Sequence, residues 1–277
     1  MSASLNYDKR RPIFISPNQR FSLDESESAL KTAYSENKPV LIYIHGRAKN
    51  IGEPKKSVSQ KIYKGLTKYG VSVIGFTWDA DDGGYDISRP VASANDFNKF
   101  LSATKYFIEK NRKEKPSLLA HSMGNLILSE LALDNNLDTN RGSIIENLIL
   151  SAPAVFQKRH HKWLNKIGIA DQIYVMVNPK DKVLIFAGLL FKPDMLGQDI
   201  RKPGVREDKA KYIYLKDLGV NHRYFLISKQ NEEGRLYEFY STILKGESID
   251  LHGISKKQNI KGVPVYRLNS TKKKKRT

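Results

Sequence analysis

The chain has 277 residues, 40% of them hydrophobic, a formal net charge of +18 and no cysteine. That length suits one large domain rather than two, and the apolar share is enough for a core. A disulfide framework is excluded, and the longest apolar stretch, nine residues from Val183 to Phe191, is too short to span a bilayer.

Residues 1–37 are expected to form an N-terminal edge segment. Met1 to Arg11 carries charge early and lacks an apolar run, so no secretory signal is read and a cytoplasmic location is expected. Val40-Leu41-Ile42-Tyr43-Ile44 is apolar and β-branched throughout, as a buried parallel strand requires. His45-Gly46-Arg47 follows it directly. Val58 to Tyr69 has helical spacing, and Val71 to Trp78 reads as the next strand, followed by a polar loop from Asp79 to Tyr85. Ala92 to Asn111 is a long amphipathic helix with Phe97, Phe100, Leu101 and Phe107 largely on one side. A short strand, Ser117-Leu118-Leu119, then meets Ala120-His121-Ser122-Met123-Gly124 and a helix-like run from Asn125 to Leu131. Asn147 to Leu150 and Ile173 to Val177 are further strands, and Tyr212 to Leu215 a candidate last one. Val183 to Phe191 reads as a buried helix, with a lid or acyl-contacting segment as the other reading. Alternation of this kind predicts a mostly parallel sheet with helices on both faces, its site beyond the carboxyl ends of the strands.

Ser122 has small residues two positions to either side and sits between a strand and a helix. That is the layout of a nucleophile elbow. Larger side chains at Ala120 or Gly124 would collide with neighbouring backbone. The turn lifts the hydroxyl from the sheet to a helix N-terminus, where N–H groups favour developing negative charge. The Met123 N–H is one expected oxyanion donor. Gly46 allows a sharp turn, so the Arg47 N–H is the other, and the Arg47 side chain is also available to an anionic substrate group. His45 reads as a brace for that loop.

In enzymes with such an elbow the acid and then the base follow the serine in the chain. Asp181, in Asn178-Pro179-Lys180-Asp181 just past a strand, is the acid candidate and also a candidate helix N-cap. Asp171 lies at the wrong edge, and Asp194 and Asp199 are displaced by the apolar run. Asp79 also follows a strand, but out of order. Among six histidines, His222 comes after the expected last strand. His121 adjoins the serine and is expected to point away. His160 and His161 precede Asp181, and His252 lies beside the basic end of the chain. A neutral His222 could take the serine proton while Asp181 sets its tautomer.

With these pieces the span from about Lys38 to Tyr224 resembles the serine hydrolases of the α/β-hydrolase fold, and more narrowly the DUF900-type α/β-hydrolases. The matching residues are His45-Gly46, Trp78, Tyr85, the elbow from Ala120 to Asn125, the Asp181 loop and His222-Arg223-Tyr224. The resemblance implies an α/β-hydrolase domain over residues 38–255. It also implies a Ser122, Asp181, His222 triad that cleaves a carboxylic ester, thioester or lipid acyl bond. Its substrate is thus a small ester or a lipid, and no cofactor or metal is expected.

The remaining charge sits at the end. Residues 256–277 hold nine Lys or Arg and no acid, half of the net charge, and are expected to be a disordered basic tail. Such a tail predicts weak contact with an anionic membrane or nucleic acid. The alternative function is a non-catalytic basic protein on the same fold that binds an anionic surface or partner. The full Ser, Asp, His order favours the enzyme, because a binding scaffold has no need to keep all three.

Overall fold

The computed structural model describes residues 13–15, 23–47, 58–78, 80, 86–137, 142–191, 194–200, 209–216, 218–227 and 234–268. Six strands form the centre of its sheet: β2 (Val40–Ile44), β3 (Ser72–Phe76), β4 (Ser117–His121), β5 (Ile145–Ser151), β6 (Ala170–Val177) and β7 (Lys211–Tyr214). β2, β3 and β4 are buried at every position, because helices cover both faces. Alternate residues serve the two sides. Ile42, Ile44, Leu118, Ala120, Leu148 and Leu150 join one core, while Leu41, Tyr43, Leu119, Ile149, Tyr174 and Met176 join the other.

The first core is covered by α1 (Leu23–Ser35), α4 (Ala94–Asn111) and α5 (Gly124–Leu133), with α3 (Ser88–Ala92) and α6 (His161–Leu164) at its rim. The second is covered by α2 (Val58–Thr67), α7 (Lys182–Phe191), α8 (Arg235–Ile243) and α9 (Leu251–Ile254). The long helix expected from Ala92 is interrupted at Ser93, which ends α3 and caps α4. Phe97, Phe100, Leu101 and Phe107 all face the core as the spacing predicts.

Two further strands complete the C-terminal side, β8 (Ser255–Ile260) and β9 (Val263–Leu268), and β1 (Ile13–Ile15) lies at the other edge. The order among the described residues is β1-β3-β2-β4-β5-β6-β7-β9-β8, all parallel except the β8–β9 hairpin. Strand order reverses between β2 and β4, so their carboxyl ends flank the crevice where ligands bind in open α/β sheets.

Three expectations need correction. Residues 1–37 are not merely an edge segment, because Ala29, Leu30 and Ala33 of α1 are core residues and β1 pairs with β3. The basic tail does not begin at residue 256. Val263, Val265 and Leu268 are buried at near-alternate positions, and β9 pairs parallel with β7. The hairpin turns at Lys261 (φ 53°) and Gly262 (φ 84°), both left-handed, as a two-residue hairpin turn demands. Lys256 and Lys257 are exposed on the outer strand, where lysine discourages edge-to-edge pairing. The remaining tail, residues 269–277 with Lys272 to Arg276, lies outside the described residues. Finally, α7 is not a buried helix, since only Leu184 and Ala187 are covered. A run that is apolar all round has no periodicity to show which side faces solvent. Among the described residues no helix is long and apolar enough to cross a membrane.

Candidate active site

Ser122 follows β4 with φ 52°, a left-handed conformation that costs a non-glycine residue about 1–2 kcal/mol. The surrounding bonds hold it there. Its N–H donates to the Ser151 carbonyl over 2.9 Å. Its carbonyl accepts from the Ala154 and Asn125 N–H groups, each at 3.2 Å, and from Asn125 Nδ2 at 2.9 Å. Asn125 Nδ2 also donates to the Ala120 carbonyl at 3.0 Å. The collision expected at Gly124 is real, because a Cβ there would lie 2.6 Å from the His45 carbonyl oxygen and 2.9 Å from Ile44 Cγ2. Met123 caps α5, and its N–H has no hydrogen-bond acceptor among the described residues. It is one of the orphan donors that every helix start presents.

The loop after β2 packs against this turn. A Cβ on Gly46 would lie 2.6 Å from Ser122 Cβ and 3.0 Å from His121 Nδ1, so only glycine fits. Arg47 follows, exposed at the rim. His45 is a brace, as expected. The Trp78 N–H donates to its Nε2 (3.0 Å), so the proton sits on Nδ1 and is donated to the Gly46 carbonyl (2.6 Å). The Trp78 indole donates to the His45 carbonyl (2.7 Å), and the two rings stack 5.1 Å apart. Burial pulls the His45 pKa down to about 4 against these two backbone bonds, which keeps the ring neutral.

Asp181 and His222 meet from separate loops. Asp181, 3% exposed, is both cap and partner. Its Oδ1 accepts the Val183 and Leu184 N–H groups (3.0 and 3.2 Å), which starts α7. Its Oδ2 accepts His222 Nδ1 at 2.8 Å and the Tyr224 hydroxyl at 2.5 Å. Burial pushes the Asp181 carboxyl up, but the bonds and charge of His222, with those from Tyr224 and Leu184, outweigh it and hold the carboxyl below 3.8. The carboxylate fixes the His222 proton on Nδ1 and leaves Nε2 as an acceptor.

His222 is held beside the elbow through His121. The His121 Nε2–H donates to the His222 carbonyl at 3.3 Å, and the two rings lie 4.8 Å apart. Burial, and then the neighbouring His222 and Arg223, hold the His121 pKa well below 6.5, so this ring is neutral. His121 thus holds the His222 loop, a role that the expectation of its pointing away from Ser122 did not include. Its ring reaches across to the His222 loop, which residue spacing along the chain does not reveal. No hydrogen bond joins Ser122 Oγ to His222 among the described residues, and such contacts are often loose without substrate.

The competing residues are engaged elsewhere. His160 bonds the Gln157 carbonyl and the Tyr212 hydroxyl, both at 2.7 Å. Asp171 pairs with Lys115 near the start of β6, and Asp199 pairs with Lys261. The His252 ring lies 6.0 Å from that of Tyr266 on β9. Asp79 and Tyr85 lie outside the described residues. Sequence reasoning gave no role to Tyr224, Trp78 or Asn125. The signal for Tyr224 was its place two residues beyond His222, on the strand-free segment that returns to the carboxylate.

The family model described as alpha/beta hydrolase of unknown function (DUF900) matches residues 22–223. No curated protein matches the sequence. Among solved structures, an esterase of Pyrobaculum calidifontis aligns at 16% identity and TM-score 0.41, over 75% of this chain and 76% of its own. Carboxyl esterase 2 of the mycorrhizal fungus Tuber melanosporum aligns at 14% identity and TM-score 0.43, over 76% of this chain and 78% of its own.

Proposed function

Given that the chain belongs to the DUF900 family of α/β hydrolases, we propose that it is a serine hydrolase of carboxylic esters, thioesters or lipid acyl bonds. Ser122 is the nucleophile, His222 the base and Asp181 the residue that orients it. Ser122 Oγ attacks the acyl carbonyl while His222 Nε2 takes the hydroxyl proton. Asp181 stabilises the imidazolium through the Nδ1–H bond. The Met123 and Arg47 N–H groups receive the oxyanion. Collapse of the tetrahedral intermediate breaks the bond to the alcohol or thiol, which leaves with the proton held by His222. Water, activated by the same imidazole, then releases the acid and restores Ser122.

The observation that carries this reading is the 2.8 Å Asp181–His222 bond, tied through His121 to the turn that holds Ser122 at φ 52° at the end of β4. A binding scaffold gains nothing from a strained serine in one loop and an imidazole with a fixed tautomer in the loop bonded to its neighbour His121. Hydrolysis of short p-nitrophenyl esters tests it. Loss of a triad serine costs about 10⁴-fold or more, so Ser122→Ala should fall to background while keeping its fold. A variant as active as the parent would remove Ser122 from the mechanism.

A further inference from the structure

Helix α7 begins one residue after Asp181, so it leads away from the site itself. Leu189 on it is 74% exposed, Phe186 55%, Leu190 53% and Val183 41%. Successive helical residues turn by about 100°, which gathers these four into roughly one third of the circumference. Phe156 is exposed as well, and its ring lies 6.4 Å from that of Phe191, which closes the core-facing side of the helix. Large contiguous apolar patches on a protein surface mark interaction sites.

The charge around the patch selects the partner. Within residues 180–191 the cations are the exposed Lys180 and Lys182, and the one acid, Asp181, is buried and already bonded. Beside Phe156, the exposed Lys158 and Arg159 accompany Asp194, whose carbonyl accepts the Gln157 N–H. Lys182 falls between Phe186 and Leu189 on the helix wheel, where its methylene stem can lie along the apolar side and its ammonium can reach outward. Leucine and phenylalanine facing out among cations are what an anionic lipid surface accepts, acyl chains below and headgroups above. A second copy of this chain would bring the same cations face to face, and like charges oppose that pairing.

We propose that the exposed face of α7 docks on an anionic lipid surface, which brings the Ser122 site to acyl esters held in that surface. The docking stands on α7 and its cations alone. The substrate class it implies rests on the serine-hydrolase reading above.

Sedimentation with phosphatidylglycerol–phosphatidylcholine vesicles tests the docking without turnover. The protein should bind these vesicles, more weakly as salt rises, and bind pure phosphatidylcholine far less. Leu189→Ser with Leu190→Ser should lower vesicle affinity roughly tenfold or more, given the apolar area removed. Both side chains are exposed, so the thermal midpoint should stay unchanged. Lys180→Glu with Lys182→Glu keeps the apolar side and should lower binding to the anionic vesicles in the same way. Ser122→Ala should bind as the parent does, so a failed hydrolase reading and a failed docking give different results. The proposal is overturned if the parent ignores anionic vesicles at low salt, or if the leucine variant binds equally well. It is also overturned if only removal of residues 269–277 abolishes binding. A concentration-dependent dimer dispersed by the leucine variant would assign this face to a second copy instead.

Discussion

Tyr224→Phe isolates one bond in the candidate site. The hydroxyl donates to Asp181 Oδ2 at 2.5 Å, and both residues are buried. Phenylalanine keeps the ring in its core position and removes only the donor. The Asp181 carboxylate accepts from Val183, Leu184, His222 and Tyr224, so the variant leaves it three of four donors. A hydrogen bond to a charged group contributes about 1.5–3 kcal/mol. Unfolding free energy at neutral pH should therefore fall by about 2 kcal/mol. The pH dependence has a definite sign. Asp181 is held below its ordinary value of 3.8, so its stabilisation is complete above that pH and is lost as pH falls through the lower, folded-state value. The gap between parent and variant should be widest near neutrality and narrow in acid. Urea unfolding across a pH series measures it. In activity, His222 keeps its carboxylate partner, so kcat should fall far less than in Asp181→Asn, which loses the carboxylate charge that stabilises the imidazolium. Equal stability at every pH, or a gap that persists unchanged into acid, would refute the role given to this hydroxyl.

Three further outcomes follow from the geometry. Ser122→Gly relieves the left-handed strain at φ 52° and should unfold at higher temperature than Ser122→Ala, by about 1 kcal/mol after the entropy of glycine is counted; calorimetry decides it. Gly46→Ala places a Cβ 2.6 Å from Ser122 Cβ, so ester hydrolysis should drop by roughly tenfold or more as the elbow is displaced, read from kcat/KM. Truncation after Ser255 removes nearly all of the β8–β9 hairpin and with it the burial of Val263, Val265 and Leu268. At about 1.5–3 kcal/mol per side chain that loss rivals the stability of a typical domain. The truncated chain should give no cooperative melt by circular dichroism, and a sharp melt would show the hairpin to be dispensable.

What was legible in the chain follows from how local each signal is. Val40–Ile44 forms the strand its apolar β-branched run predicts, because burial on both faces leaves a continuous signature. The elbow was legible because its pattern of small residues around Ser122 spans only five consecutive positions, although the contacts that demand glycine at Gly124 come from Ile44 and His45. Asp181 and His222 were reachable by chain order, since parallel strands deliver their loops to one edge. Helix α1 was hidden because it buries small residues, Ser26, Ala29 and Ala33, around a single Leu30. The C-terminal hairpin was hidden by its lysines, which dominate composition while Val263 and Val265 supply the alternation. The orientation of α7 and the reach of His121 and Tyr224 depend on packing between distant segments, such as the 101 positions separating His121 from His222. No pattern within one segment encodes that.

The central claim is that Ser122 is an activated nucleophile. A fluorophosphonate probe followed by peptide mass mapping tests it directly, since the probe phosphonylates a serine whose proton is taken by an adjacent base. The account predicts a single adduct on the peptide carrying Ser122, absent in Ser122→Ala and strongly reduced in His222→Ala. No adduct on the folded protein, or an adduct on a different serine, would contradict it.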